Sequence, residues 1–389
     1  MKKVFTVLLM LCLILLGANL NLCIANPYGP PNAMLITIQN DGAVAPADSP
    51  LKHVGGGQYV LTEDLNTTKV SLFERYTNKI RVEKDNVVID GANHTIDGGG
   101  ERITAIEISY RNNVTIRNIT LSNYDRGILV WCSSNINVTG NMVLSGESGV
   151  TISNSSKVII AQNIFADNCE QTTIEMEASN MTIVYGNKLS CRLLQGWHIS
   201  GLLMRYCQNN LIVANTIAGF NSGITLLNSS NNQFIQNNLI DNHIQAQDML
   251  RDSLYQKNNR TNYEENLRML KDNFTLHLFP VWDYSNNIWQ NNYWSNYNGS
   301  ADSNGIGTYP YVIDELNVDN SPFTSIVTLG QAIPLSSINF TNYISTEEEG
   351  EVDYSEYLPA ILASAVIIGI IIAFTAIFYK KRAIKKTTT

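Results

Sequence analysis

Apolar and polar positions alternate in a fifteen-residue phrase that the chain writes five times between residues 127 and 237. The copies are GILVWCSSNINVTGN (127–141), GVTISNSSKVIIAQN (149–163), TIEMEASNMTIVYGN (173–187), GLLMRYCQNNLIVAN (201–215) and GITLLNSSNNQFIQN (223–237), with starts 22, 24, 28 and 22 residues apart. A fixed return of about two dozen residues is the mark of a solenoid. Position two (Ile128, Val150, Ile174, Leu202, Ile224) and position four (Val130, Ile152, Met176, Met204, Leu226) share one face of a short strand, because strand side chains alternate. Position twelve (Val138, Ile160, Val184, Ile212, Phe234) gives a second inward point. The residue two beyond each phrase (Val143, Phe165, Leu189, Ile217, Leu239) gives a third. The pattern predicts three-sided coils whose strands stack in parallel at roughly 4.8 Å.

Each phrase closes on an asparagine: Asn141, Asn163, Asn187, Asn215 and Asn237. Stacked in a column, these amides can bond one another up the coil. Asparagine also tolerates the left-handed backbone of a tight turn. A leucine-rich repeat has a similar period and a similar Asn. Here β-branched residues dominate the inward points and no repeat has room for a helix. The reading is an all-β parallel β-helix.

The flanks divide the chain further. Residues 1–25 have a Lys-Lys start, an apolar run and a small-residue exit, the pattern of a signal peptide. Residues 26–80 carry short alternating runs cut by Pro and Gly, expected to cap the first coil, since an open end exposes strand edges. The solenoid is expected over 81–320, with an excursion at 249–273 and an aromatic closing cap at 282–320. Residues 104–123 read as a looser copy with inward residues displaced by one. Residues 321–357 become polar and acidic, a stalk. Residues 358–379 are apolar enough for a transmembrane helix, and the basic tail 380–389 places the C-terminus inside the cell and the body outside.

Composition adds two restrictions. The formal net charge is −8, with cations gathered at both termini, so the body is more acidic than the total and nucleic acid is not an expected partner. On the oxidising side of a membrane, Cys169 and Cys191 fall near one corner of adjacent coils and are a disulfide candidate. Cys132 and Cys207 sit about three coils apart and are expected as free thiols. Twelve N-x-S/T sequons occur, of which Asn66, Asn259 and Asn339 lie outside the repeats and are the better glycosylation candidates.

Specific phrases carry a resemblance. DNVVIDGANHTIDGGG, NNVTIRNITLSN, the coil phrase itself and the closing NNYWSNYNG with GIGTYPYVID resemble the NosD-like branch of the carbohydrate-binding and sugar-hydrolase β-helix group, most closely its archaeal surface-protein type. The resemblance spans about residues 36–323. It implies a right-handed parallel β-helix solenoid and leaves the activity open among copper-site accessory proteins, polysaccharide-active enzymes and surface proteins.

Candidate chemistry is sparse. Asp125 and Glu147 stand two residues before a repeat start and Glu170 three before one, with Arg126 alongside. Adjacent coils would hold such acids about 5 Å apart, a separation that suits retaining glycosidases; a polysaccharide lyase of this fold would use acids to hold calcium and a base to take the proton. A solvated corner is the simpler expectation. In SADSNG (300–305), Ser300, Asp302 and Asn304 stand where the resembling family typically has a D-x-D-x-D-G loop, so Asp302 and Asn304 make only a weak calcium-like site. The five histidines are scattered, an arrangement that gives copper little to hold. The expectation is a membrane-tethered extracellular β-helix that binds glycans or surface-layer proteins without catalysis. The alternatives are a polysaccharide lyase or hydrolase, and an accessory for copper delivery.

Overall fold

The structure, a computed structural model, describes residues 35–65, 77–99, 103–166, 172–191, 200–248, 286–314 and 316–338. The chain winds as a parallel β-helix with three faces, and no α-helix occurs among the described residues. Repeat positions two to five form the first face, as in Ile128, Leu129, Val130 and Trp131, which pair with Val150, Thr151, Ile152 and Ser153. The second face carries Ser134–Thr139 beside Ser156–Ala161. The third carries Val143, Phe165, Leu189, Ile217 and Leu239 in one column.

The three inward columns fall as the periodicity predicts. Ile128, Val150, Ile174, Leu202 and Ile224 are successive register partners, as are Val138, Ile160, Val184, Ile212 and Phe234. All are essentially without solvent contact, and each such burial contributes about 1.5–3 kcal/mol. The 104–123 copy is in step. Ile106, Ile108, Ile116 and Leu121 pair with Ile128, Val130, Val138 and Val143, and the apparent one-residue displacement vanishes once the copy starts at Ala105. Ile119 then takes the place of the closing asparagine and donates its backbone N–H to Asn141 Oδ1 at 3.1 Å.

The asparagines form a continuous buried ladder. Asn141 Nδ2 donates to Asn163 Oδ1 at 3.0 Å, Asn163 to Asn187 at 3.0 Å, Asn187 to Asn215 at 2.9 Å and Asn215 to Asn237 at 3.0 Å. The second amide proton reaches a carbonyl of the preceding coil, for instance Asn187 to Ile160 O at 2.8 Å. One expectation is corrected. The left-handed residue of this turn is the one before the ladder asparagine (Gly140, Gln162, Gly186, Ala214 and Gln236), and each asparagine adds its own backbone N–H to the ladder, as Asn141 N–H does to Asn163 Oδ1 at 2.9 Å. A serine column runs parallel to it at repeat position seven, with Ser133 N donating to Ser155 Oγ and Ser155 N to Ser179 Oγ. Cys207 occupies this column, fully buried.

At the start, Leu51–Gly55 and Gln58–Leu61 form an antiparallel hairpin whose second strand pairs in parallel with Val87–Asp90. The ladder resumes across the insertion: Asn237 bonds Asn292 at 3.0 Å although 55 residues separate them. Residues 249–285 lie outside the described set. The far end is closed by rings, with Phe234 stacked on Trp289 (centroids 3.9 Å) and Trp294 on Tyr311 (4.1 Å). Trp289 and Trp294 are buried there, and Trp282 lies outside the described residues.

The chain then doubles back. Outward positions of the second face turn apolar in the later coils, where Ala161, Ile183, Tyr185, Leu211, Val213 and Ile235 cluster with Val327, Ala332, Ile333 and Leu335. Asn238 holds this strap at both ends of its side chain, accepting Val327 N–H at 2.7 Å and donating to Val327 O at 2.8 Å. Gln236 Oε1 accepts Ile333 N–H at 2.9 Å. The first part of the expected stalk therefore packs on the solenoid. The acidic run that follows, the 358–379 segment and the tail lie outside the described residues, among which no helix is long and apolar enough to cross a membrane.

Candidate ligand-binding flank

The outside of the first face carries two columns of side chains. Repeat position five forms one column there: Ser109, Trp131, Ser153, Glu177, Arg205 and Leu227. Position three forms its neighbour and contains Glu107, Leu129, Thr151, Glu175 and Leu203. Alternation points both columns away from the core, because positions two and four face it, although Glu107, Thr151 and Leu203 of the position-three column are themselves buried. Tyr110, held in the left-handed region (φ 60°), projects beside Trp131 with ring centroids 5.1 Å apart and planes tilted by 58°. Tyr110 is 40% exposed and Trp131 is half-buried, so the two make an aromatic step on the flank.

Ion pairs sit on both sides of the step. Arg81 Nε meets Glu107 Oε2 at 3.3 Å, and Glu107 Oε1 accepts the Ser109 hydroxyl at 2.8 Å. Higher up, Arg205 stands opposite Glu177 in register while its Nη1 reaches diagonally to Glu175 Oε1. Arg111 bridges two coils, donating to Ser109 O at 3.0 Å on its own and to Glu83 O at 2.9 Å on the one before. These residues escaped the sequence reading because alternation marks them only as outward. Aligning Tyr110 with repeat position six would have placed it next to Trp131.

The predicted acid corner lies within two continuous strands. Thr120–Trp131 and Met142–Ser153 pass from the third face into the first without a break. Tyr124 pairs with Gly146 and Arg126 with Ser148, so Asp125 and Glu147 are opposed on adjacent strands, about 5 Å apart at the backbone. Both acids and Arg126 have partners in the folded chain. Glu170 lies outside the described residues. Bulk is excluded at this corner: a Cβ on Gly146 would lie 2.4 Å from the Tyr124 ring, and one on Gly149 2.7 Å from Thr173 O. Burial holds the Tyr124 phenol far above its ordinary pKa.

Asp302 Oδ1 accepts the backbone N–H groups of Asn304 (2.8 Å) and Ile306 (2.9 Å), closing the 300–305 loop on itself, with Asn304 contributing a backbone donor. One carboxylate falls well short of the six to eight oxygens calcium takes. Cys191 is disulfide-bonded, and its proposed partner Cys169 lies outside the described residues, as do Asn66, Asn259 and Asn339. Cys132, expected as a free thiol, is disulfide-bonded, whereas Cys207 is free. Desolvation on burial pushes the Cys207 thiol up to about 12.

Stacked coils, an amide ladder and a polar flank define a β-helix built to present an extended lateral surface. The chain belongs to the NosD family, described as "Periplasmic copper-binding protein (NosD)", whose model matches residues 61–274, more than half of its length. No curated protein matches the chain. Among solved structures it is similar to XylC in complex with xylose (11% identity over 57% of this chain and 51% of that one, TM-score 0.33) and to the periplasmic alginate epimerase AlgG (13%, 63% and 74%, TM-score 0.34). It is also similar to the tailspike protein of E. coli bacteriophage HK620 in complex with pentasaccharide (12%, 56% and 43%, TM-score 0.33). The chain spans about half the length of the XylC structure.

The family description raises copper, which takes clustered imidazole or sulfur donors. Among the described residues no group of three or more His, Cys, Asp or Glu could hold a metal ion. His53 stacks on Tyr59, and His94 meets Asp64 at 3.2 Å. Met176 and Met204 are buried core residues, and Cys207 is enclosed in the serine column. The described donors do not fit a copper site.

Proposed function

We propose that the chain is a membrane-tethered extracellular β-helix that binds glycans or surface-layer proteins along the outside of its first face, without catalysis. The observation that carries this reading is the Tyr110–Trp131 step. A sugar ring presents a patch of C–H groups that packs on an aromatic face, and here two rings meet at an angle on an otherwise hydroxyl-rich flank. The carboxylates nearest the step and above it, Glu107 and Glu175, are committed to Arg81 and Arg205. The test is affinity electrophoresis of the full-length chain and Trp131→Ala through immobilised polysaccharides. Retardation of the parent that Trp131→Ala abolishes supports the reading; equal migration of both in every gel sinks it.

The opposed pair Asp125 and Glu147 favours a second reading, a polysaccharide lyase or hydrolase, because its separation is close to that of a retaining glycosidase. Cleavage products from the parent that disappear in Glu147→Gln would establish it. The family's description favours a third, accessory to copper delivery, for which metal analysis of the purified chain after copper loading is the direct measurement.

A further inference from the structure

We infer that the Tyr110–Trp131 step takes glycans free of carboxylate and sulfate, preferring sugars that carry an amine. The inference rests on the glycan-binding reading above and names its ligand class. Recognition of a polyuronate or sulfated chain needs arginine or lysine facing the anion, and arginine matches such groups in a two-pronged geometry. Among the described residues of this flank the arginines are already used. Arg81 is held by Glu107, Arg205 by Glu175, and Arg111 by two carbonyls with Asp85 at 3.9 Å. Arg126 likewise has a partner. Among the described residues the nearby lysines are engaged or face elsewhere: Lys84, beside Tyr110 in register, donates to Asn40 O at 3.3 Å, Lys157 is on the second face, Lys188 on the third, and Lys79 is buried.

What the flank does offer is negative. Arg205 is paired with Glu175, and Glu177, its register partner in the column, is exposed. Trp131, Ser153 and Glu177 are consecutive in one column, so the carboxylate stands about 10 Å along the coil axis from the indole. A ligand stacked on Trp131 and running up the column meets hydroxyl first and then carboxylate. An ammonium group gains there, a hydroxyl is neutral, and a uronate is repelled.

Titrating the full-length chain with chitosan oligomers, neutral mannan oligomers and alginate oligomers of matched length tests this. Expected are binding of the chitosan oligomers most tightly, weaker binding of mannan and none of alginate. Trp131→Ala should weaken both bound ligands about tenfold, and Glu177→Gln should weaken the chitosan oligomers alone by about threefold. Thermal transitions of both variants verify that they fold. Alginate binding that Trp131→Ala removes would overturn the inference while leaving the glycan reading standing. Equal affinity of Glu177→Gln and the parent for chitosan would also overturn it. Binding of none of the three ligands would overturn both.

Discussion

Asn292 donates its side-chain amide to Asp319 Oδ2 at 3.1 Å, and that contact ends the asparagine ladder. Each ladder amide donates to the next in the C-terminal direction, so the last member needs a group that only accepts. Asp319 is such a group. Its Oδ2 also takes Asn292 N–H (2.9 Å) and Trp294 Nε1 (3.1 Å), and its Oδ1 takes Asn291 N–H (3.2 Å) and Ser321 N–H (3.1 Å), with no solvent contact. Asp319→Asn puts an NH2 group against donors. The expected loss is about 2–3 kcal/mol of unfolding free energy, measured by urea denaturation.

In mid-ladder, Asn187→Ala removes the acceptor for Asn163 and the donor to Ile160 O and Asn215. These groups are buried, so about 2–3 kcal/mol should be lost. Asn112→Ala deletes an exposed amide bond to Ser134 and should change stability by less than about 0.5 kcal/mol. The two midpoints compared in one denaturant series check the ladder's share.

Cys207 donates to Arg205 O at 3.3 Å where other coils place serine, so Cys207→Ser should be close to neutral at pH 7. Burial, the largest influence, raises the folded thiol from 9.0 to about 12. The folded state thus holds this proton where the unfolded chain has released it. The thiol's stabilisation is complete below the unfolded value and declines as pH rises from 9 toward 12. Stability measured from pH 8 to 11 should fall less steeply in Cys207→Ser, and native Cys207 should resist thiol reagents at pH 8.

The strap depends on Asn238, which ties both backbone groups of Val327. Asn238→Ala should loosen it and expose Tyr185, Ile183 and Val213. Limited proteolysis should then cut within 324–338 severalfold faster, accompanied by binding of a hydrophobic dye.

Much of the solenoid was legible from a few residues. Ile128 and Val130 alternate with outward neighbours, and the same alternation returns at Val150 and Ile152 with similar side chains, so the column could be written before its register was seen. The site was less legible. Trp131 and Tyr110 are separated by 21 positions and meet only because Ser109 pairs with Trp131. Asp125 and Glu147 were legible as opposed acids, since both count back from repeat starts.

The sequence by itself determined the three inward columns and the amide ladder, because a two-residue alternation and a recurring turn are local properties that repeat whenever the chain comes round. The tertiary structure decided where the columns stop and what lies over them. Asp319 closes the ladder from outside the repeat phrase, the strap covers outward apolar residues that alternation assigns to solvent, and Cys207 is enclosed where serine usually stands. These contacts join segments with no shared period, and spacing along the chain carries no record of them.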